Sequence, residues 1–214
     1  MGLFFWKIYK MRIKALIPAC GYGTRVGMLP HQSKELIIDP GTNQPLIQWH
    51  LDICKKYNIE PLVIVRKEKI ELIEYCKQQN VQYVVIEPEG EWPNTILKAK
   101  DHWGDANILL LPDTRWSDEN VLVNIKKSLQ NHKSFAIAKH WVTDGDKWGM
   151  LRNSDGYDII MEKSPSLRIG WAWGILGFNK KVGENLFSAL LCEKQYRIED
   201  RQFFILRWFK DITR

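Results

Sequence analysis

The chain predicts an α/β fold, a mostly parallel sheet covered by helices with a small antiparallel sub-region. Three observations carry this expectation. Apolar runs alternate with segments of helical spacing from Ile13 to Ala138. Beyond Ala138 the rhythm changes to strand-like runs joined by turn chemistry such as Asn153-Ser154-Asp155-Gly156. The 214 residues hold no linker, repeat or charge run, and they suffice for one sizeable domain. That domain is expected over 11–214, with 1–10 as an N-terminal extension or upstream start.

Taken in order, Ile13–Pro18 reads as the first buried strand, and Pro45–Tyr57 places Leu46, Ile47, Leu51, Ile53 and Cys54 at helical spacing. Pro61–Val65 is a second strand, Glu68–Gln79 a helix and Gln82–Ile86 a third strand. Asn94–Trp103 is expected to be helical, and Asn107–Leu111 is an apolar strand ending at Pro112-Asp113. A helix over Asp118–Asn131 leads to a strand at Phe135–Ala138. Gly149–Arg152, Tyr157–Met161 and Trp171–Phe178 are strand-like, and Asn179–Glu193 is helical.

Composition narrows the function classes. A hydrophobic share of 45% and a charged share of 26% describe a folded soluble chain rather than a disordered one. The net charge of +6 favours anionic ligands, but the surplus is spread along the chain, which suits phosphorylated small molecules better than nucleic acid. Cys20, Cys54, Cys76 and Cys192 form no CxxC pair, so they read as reduced thiols of a cytoplasmic protein, and the five histidines show no metal-ligand spacing. The apolar start, Gly-Leu-Phe-Phe-Trp, is too short to span a membrane, and Trp6 breaks the myristoylation pattern. No stable membrane insertion is expected.

The chemistry concentrates after the first strand. Gly21-Tyr22-Gly23-Thr24-Arg25 lets the backbone turn sharply and bring N–H groups close to an anion, because glycine has no Cβ. Arg25 and Lys34 then add a planar bidentate fork and a compact ammonium. Ligands of open α/β sheets sit beyond the carboxyl ends of the strands, and Asp113 follows the strand Asn107–Leu111 at that same edge. A carboxylate facing a basic phosphate loop is repelled by phosphate unless a divalent cation lies between them. The other reading of Asp113 is a cap on the following turn. Trp148 and Trp171 fit a ligand pocket or core packing equally well.

These segments, in this order, resemble the sugar-phosphate nucleotidyltransferases, the nucleotide-sugar pyrophosphorylases. The likeness spans roughly residues 11–213. Gly21-Tyr22-Gly23-Thr24-Arg25 with Ser33-Lys34 is similar to the family's Gly-x-Gly-Thr-Arg and Pro-Lys. Trp148-Gly149-Met150-Leu151 resembles its sugar-facing aromatic-Gly strand, Glu162-Lys163 its Glu-Lys-Pro segment, and Trp208–Thr213 its second aspartate segment. The resemblance implies a Rossmann-like three-layer nucleotidyltransferase fold, and Mg²⁺-dependent conversion of an NTP and a sugar phosphate into a nucleotide-sugar and pyrophosphate. It implies that Gly21, Gly23, Thr24 and Arg25 bind the nucleotide, and that Arg25, Lys34 and Asp113 are catalytic. It also implies that Gly149, Glu162 and Lys163 bind the sugar phosphate and that Asp113 and Asp211 hold the metal.

The departures are specific. Pro112 stands where the family has glycine, and the base-recognition stretch reads Glu89-Gly90-Glu91-Trp92-Pro93-Asn94-Thr95. Ile212-Thr213 lacks an intervening glycine, and the chain ends soon after Asp211. They keep open a catalytically silent regulatory or nucleotide-binding relative, and a cytidylyltransferase acting on a non-sugar phosphate. A glycosyltransferase ranks last, because Asp113 is followed by Thr114-Arg115 rather than by an Asp-x-Asp pair.

Overall fold

The computed structural model describes residues 11–23, 27, 29, 31–154, 157–161, 168–198 and 201–205. The sheet grows from β1 (Ile13–Pro18), which lies between two parallel neighbours. Two short strands, β2 (Ile38–Asp39) and β3 (Gln44–Pro45), form a separate hairpin before helix α1 (Leu46–Lys56). Then come β4 (Glu60–Val65), α2 (Ile70–Gln78), β5 (Gln82–Val85), α3 (Trp92–Lys98), β6 (Ala106–Leu110) and α4 (Asn120–Gln130). The remaining elements are β7 (Phe135–Val142), β8 (Met150–Ser154), β9 (Tyr157–Met161), β10 (Gly170–Asn179), α5 (Lys180–Cys192), β11 (Gln195–Ile198) and β12 (Arg201–Ile205).

Strands β6, β1, β4 and β5 lie side by side in parallel, and β10 joins β6 antiparallel. β10 runs on past the end of β6. Its last residues pair with β6 and its first with β8, while β7 runs along its opposite edge, with an irregularity between Trp173 and Ile175. β8, β9 and β11 extend the antiparallel region, and β12 lies parallel to β7. This is the expected α/β architecture, a parallel core capped by an antiparallel sub-region.

The period of two along each strand divides the core between the sheet's two faces. Ala15, Ile17, Val63, Val65, Ile108 and Leu110 face α1, α2 and α4 and pack with Ile47, Leu51, Leu72, Leu122 and Ile125. Leu16, Leu62, Ile64 and Leu109 face α3 and α5 and pack with Ile96, Leu186, Phe187 and Leu190. Burial on both faces explains why residues 15–18 in β1 and 108–110 in β6 read as apolar runs. α5 starts where the Asn179 side chain accepts the Val182 N–H at 2.9 Å, an N-cap that satisfies one orphan donor.

Two expectations are corrected. The helix expected over Asn94–Trp103 is the shorter α3, begun by Pro93 in its first turn and followed by a separate 3-10 turn at Lys100–His102. The chain tightens there because Trp103 must turn into the core against Phe178 and Phe187. The strand expected at Phe135–Ala138 runs on to Val142, because β10 pairs with it along that whole length. No helix among the described residues is long and apolar enough to cross a membrane.

Candidate active site

The glycine loop leaves β1 tethered to its neighbour β4. The Ala19 N–H donates to the Ile64 carbonyl at 2.8 Å, and the Cys20 thiol donates to the same oxygen at 3.3 Å. Burial pushes the Cys20 thiol up to about 12, so it anchors the loop as a neutral donor rather than acting as a nucleophile. Gly23 has φ +69, a left-handed conformation that favours glycine. A Cβ built on Gly21 would meet nothing within 4 Å, so the backbone there borders open space. Thr24 and Arg25 lie outside the described residues.

Lys34 opens a short 3-10 turn, Lys34–Leu36. Its ammonium donates to Asp113 Oδ2 at 2.5 Å, joining residues 79 apart in sequence. Asp113 lies just past the carboxyl end of β6, where its turn is closed by a Thr114 N–H to Leu111 C=O bond of 3.1 Å. The lysine side chain is 25% exposed and the aspartate 51%, so both reach the surface of the cleft. Partial burial alone would raise the Asp113 pKa. The Lys34 charge and hydrogen bond outweigh it and hold the carboxyl below its ordinary value. Asp113 is thus an ionised carboxylate paired with the cation that follows the glycine loop.

The Asp113 turn is buttressed from α1 and from the β2–β3 hairpin. His50 Nε2 lies 3.0 Å from the Thr114 carbonyl, and its ring stands edge-on to Trp49 at 4.9 Å. Burial lowers the His50 pKa to about 4, so the imidazole is neutral near pH 7. Arg115 pairs with Asp39, itself held by the Gly41 N–H at 3.0 Å and the Thr42 hydroxyl at 3.1 Å. Sequence reasoning did not find these supports, because charges separated by 76 positions carry no local signal.

Beside the glycine loop, the ends of β4 and β5 form a cavity of about 320 Å³ lined by Tyr22, Lys67, Val85, Ile86 and Glu87 among others. Lys67 and Glu87 form a 3.3 Å ion pair at its edge. The stretch Glu89–Thr95 begins just beyond this cavity. Its Glu89 pairs with Lys98 at 2.8 Å, its Glu91 pairs with Lys194, and Asn94 Nδ2 donates to the Glu89 carbonyl at 2.9 Å. The cavity residues escaped the sequence reading because they come from three separate stretches of the chain.

On the other side of Asp113 stands β10. Ile175 is in register with Leu110, the last residue of β6, so Trp173 lies beyond the strand end at the same sheet edge as Asp113. A Cβ at Gly149 would come within 2.1 Å of Trp173 Nε1, and the Trp173 N–H donates to the Gly149 carbonyl at 3.0 Å. Gly149 is thus a close-packing glycine under an indole. Trp148 donates to Asp144 Oδ1 at 3.0 Å and packs edge-on to His140, while Trp171 stands edge-on to Trp141. Glu162, Lys163 and Asp211 lie outside the described residues.

A magnesium site is tested by the donors present. Asp113 supplies one ionised, half-exposed carboxylate, and no group of three or more histidine, cysteine or acidic side chains converges among the described residues. One such carboxylate suits Mg²⁺, which is bound through one or two carboxylates plus substrate phosphates.

No protein-family model matches the chain, and no curated protein sequence matches it. Solved structures do. A Bacillus anthracis protein assigned as a glucose-1-phosphate thymidylyltransferase, crystallised with sucrose, superposes with a TM-score of 0.72 at 18% identity, covering 92% of this chain and 88% of that one. A UDP-glucose pyrophosphorylase in complex with UDP-glucose gives 0.66 at 20% identity, with 83% and 80% covered. The UDP-glucose pyrophosphorylase of Acinetobacter baumanii gives 0.64 at 19% identity, with 92% and 87% covered. At these identities the likeness establishes the Rossmann-like fold that those enzymes share.

Proposed function

We propose that the chain is a nucleotidyltransferase that joins the nucleotidyl group of an NTP to a sugar phosphate and releases pyrophosphate. One observation carries this reading above the others: Lys34 and Asp113 meet at 2.5 Å at the mouth of the glycine loop. The pair sets an ammonium and an ionised carboxylate side by side at the sheet edge from which the glycine loop also emerges.

In this reaction an oxygen of the sugar phosphate attacks the α-phosphorus. The bond from the α-phosphorus to the bridging oxygen breaks, and pyrophosphate leaves with that electron pair. The attacking oxygen is already anionic, so no general base is needed; rate comes from positioning and charge neutralisation. The backbone at Gly21 and Gly23 presents N–H groups to the polyphosphate, and Lys34 neutralises charge on it. Asp113, with Asp211, would hold Mg²⁺, which when bound supplies Lewis-acid stabilisation of phosphate oxygens. Arg25 adds a second cation on the leaving pyrophosphate, Thr24 a donor beside it, and Glu162 and Lys163 orient the sugar phosphate. Trp173 and Gly149 form the wall on that side, and the cavity beside Tyr22 takes the base.

The test is pyrophosphate release from a matrix of NTPs and sugar phosphates in Mg²⁺ buffer, with calorimetry for NTP binding. Release that requires both substrates supports the reading. NTP binding without turnover favours a silent nucleotide-binding relative, and release with a phosphorylated non-sugar acceptor favours a cytidylyltransferase of another metabolite class.

A further inference from the structure

The loop joining β4 to α2, Arg66-Lys67-Glu68-Lys69, emerges at the same sheet edge as the glycine loop, and two of its cations turn inward. Lys69 is 1% exposed and its ammonium donates at 2.7 Å to Glu35, whose side chain is fully buried. Glu35 is the middle residue of the 3-10 turn that begins with Lys34. Arg66 is also 1% exposed, and its guanidinium lies 3.9 Å from the centre of the Tyr22 ring, between Gly21 and Gly23. The loop is closed on itself by the Lys69 N–H donating to the Arg66 carbonyl at 3.2 Å.

A buried ion pair is an expensive way to hold a fold together. Its desolvation cost is comparable to its attraction, and well-packed apolar replacements are often as stable or more so. What such a pair does fix is direction. Successive residues of a 3-10 turn point about 120° apart. Pinning Glu35 inward on Lys69 therefore sets the azimuth of Lys34, which points to Asp113.

We propose that Lys69 and Glu35 are positioning residues for the polyphosphate site, with Arg66 as the second arm of the same bracket beneath Tyr22. The inference rests on the nucleotidyltransferase reading above. Lys69 and Arg66 are each 1% exposed, so their assigned part is to hold other segments rather than to meet the anion themselves. One four-residue loop holds both segments that meet the anion, the glycine loop through Tyr22 and the lysine turn through Glu35.

The test is a double-mutant comparison read as binding of inorganic pyrophosphate and of NTP by calorimetry. Lys34→Met is measured in the wild type and in the Glu35→Leu/Lys69→Met background, which leaves no buried charge unpaired. We expect that background to melt near the wild-type temperature yet bind pyrophosphate about 10–100-fold more weakly, the cost of a misplaced contact. There Lys34→Met should cost little more, because the ammonium is no longer aimed, whereas in the wild type it costs the full amount. Lys69→Arg alone, which keeps the charge opposite Glu35, should retain most of the wild-type affinity. Should that double replacement not fold, Glu35→Met/Lys69→Met, which also leaves no buried charge unpaired, takes its place with the same expectations. Wild-type affinity in the background, or an equal cost of Lys34→Met in both, overturns the positioning role alone. A wild type that binds neither pyrophosphate nor any NTP overturns the nucleotide reading itself.

Discussion

Lys34 and Asp113 neutralise one another across the cleft, and the reaction proposed asks each of them to serve a different charge on the substrate. Losing a preorganised charge-stabilising group typically costs about 10²–10³ in rate. Lys34→Ala and Asp113→Asn are each expected to lower pyrophosphate release by about that factor, with melting temperature little changed because both side chains reach the surface. Steady-state rates beside thermal melts check this; near-wild-type rates in both variants contradict the assigned roles. Both residues were legible in the sequence, Asp113 because it follows an apolar strand and Lys34 because it is a cation spaced after the glycine pair. Glu35 and Lys69 were not. A Lys-Glu dipeptide and a basic loop read as solvated surface, and only the three-dimensional path of the chain turns one charge of each inward.

At the scale of elements, strand β10 ties the sheet edge that carries Asp113 to the antiparallel region, and its contact with β8 depends on the bare Cα of Gly149. A methyl group there would lie 2.1 Å from the Trp173 indole, which is itself packed against Trp92. Overpacking of this kind costs about 1–3 kcal/mol. Gly149→Ala is therefore expected to lower the melting temperature by several degrees, at about 2–4 °C per kcal/mol for a chain of this size. Calorimetric unfolding measures it, and an unchanged melting point shows that the indole yields freely. The long buried strands were legible because runs such as Ala106–Leu110 have no other home than a doubly covered sheet. The β2–β3 hairpin was not, having two residues per strand and being held by Asp39 and Arg115 rather than by apolar pattern. β11 and β12 also escaped the sequence reading, because pairing partners rather than pattern place them at the sheet's edges.

For the molecule as a whole, two buried histidines set a response to acid. Burial lowers the pKa of both His50 and His140 from 6.5 to about 4. Between those values the unfolded chain binds protons that the folded chain refuses, so stability rises with pH through that window and falls as pH drops towards 4. The loss amounts to a few kcal/mol for each histidine, because each tenfold difference in proton affinity between the folded and unfolded chain is worth about 1.4 kcal/mol. Melting temperature followed from pH 7 to pH 4 should decline, and His50→Gln should flatten part of the decline; a flat profile in the wild type contradicts neutral burial.

The proposed chemistry belongs to this scale too, because it requires the glycine loop, the Asp113 turn and the β8–β10 wall to act on two substrates at one sheet edge. Pyrophosphate release from the wild-type chain given an NTP and a sugar phosphate together is the most direct measurement. The predicted result is release that needs both substrates and that collapses in Lys34→Ala and Asp113→Asn. Release from no combination, with no NTP bound in calorimetry, contradicts it.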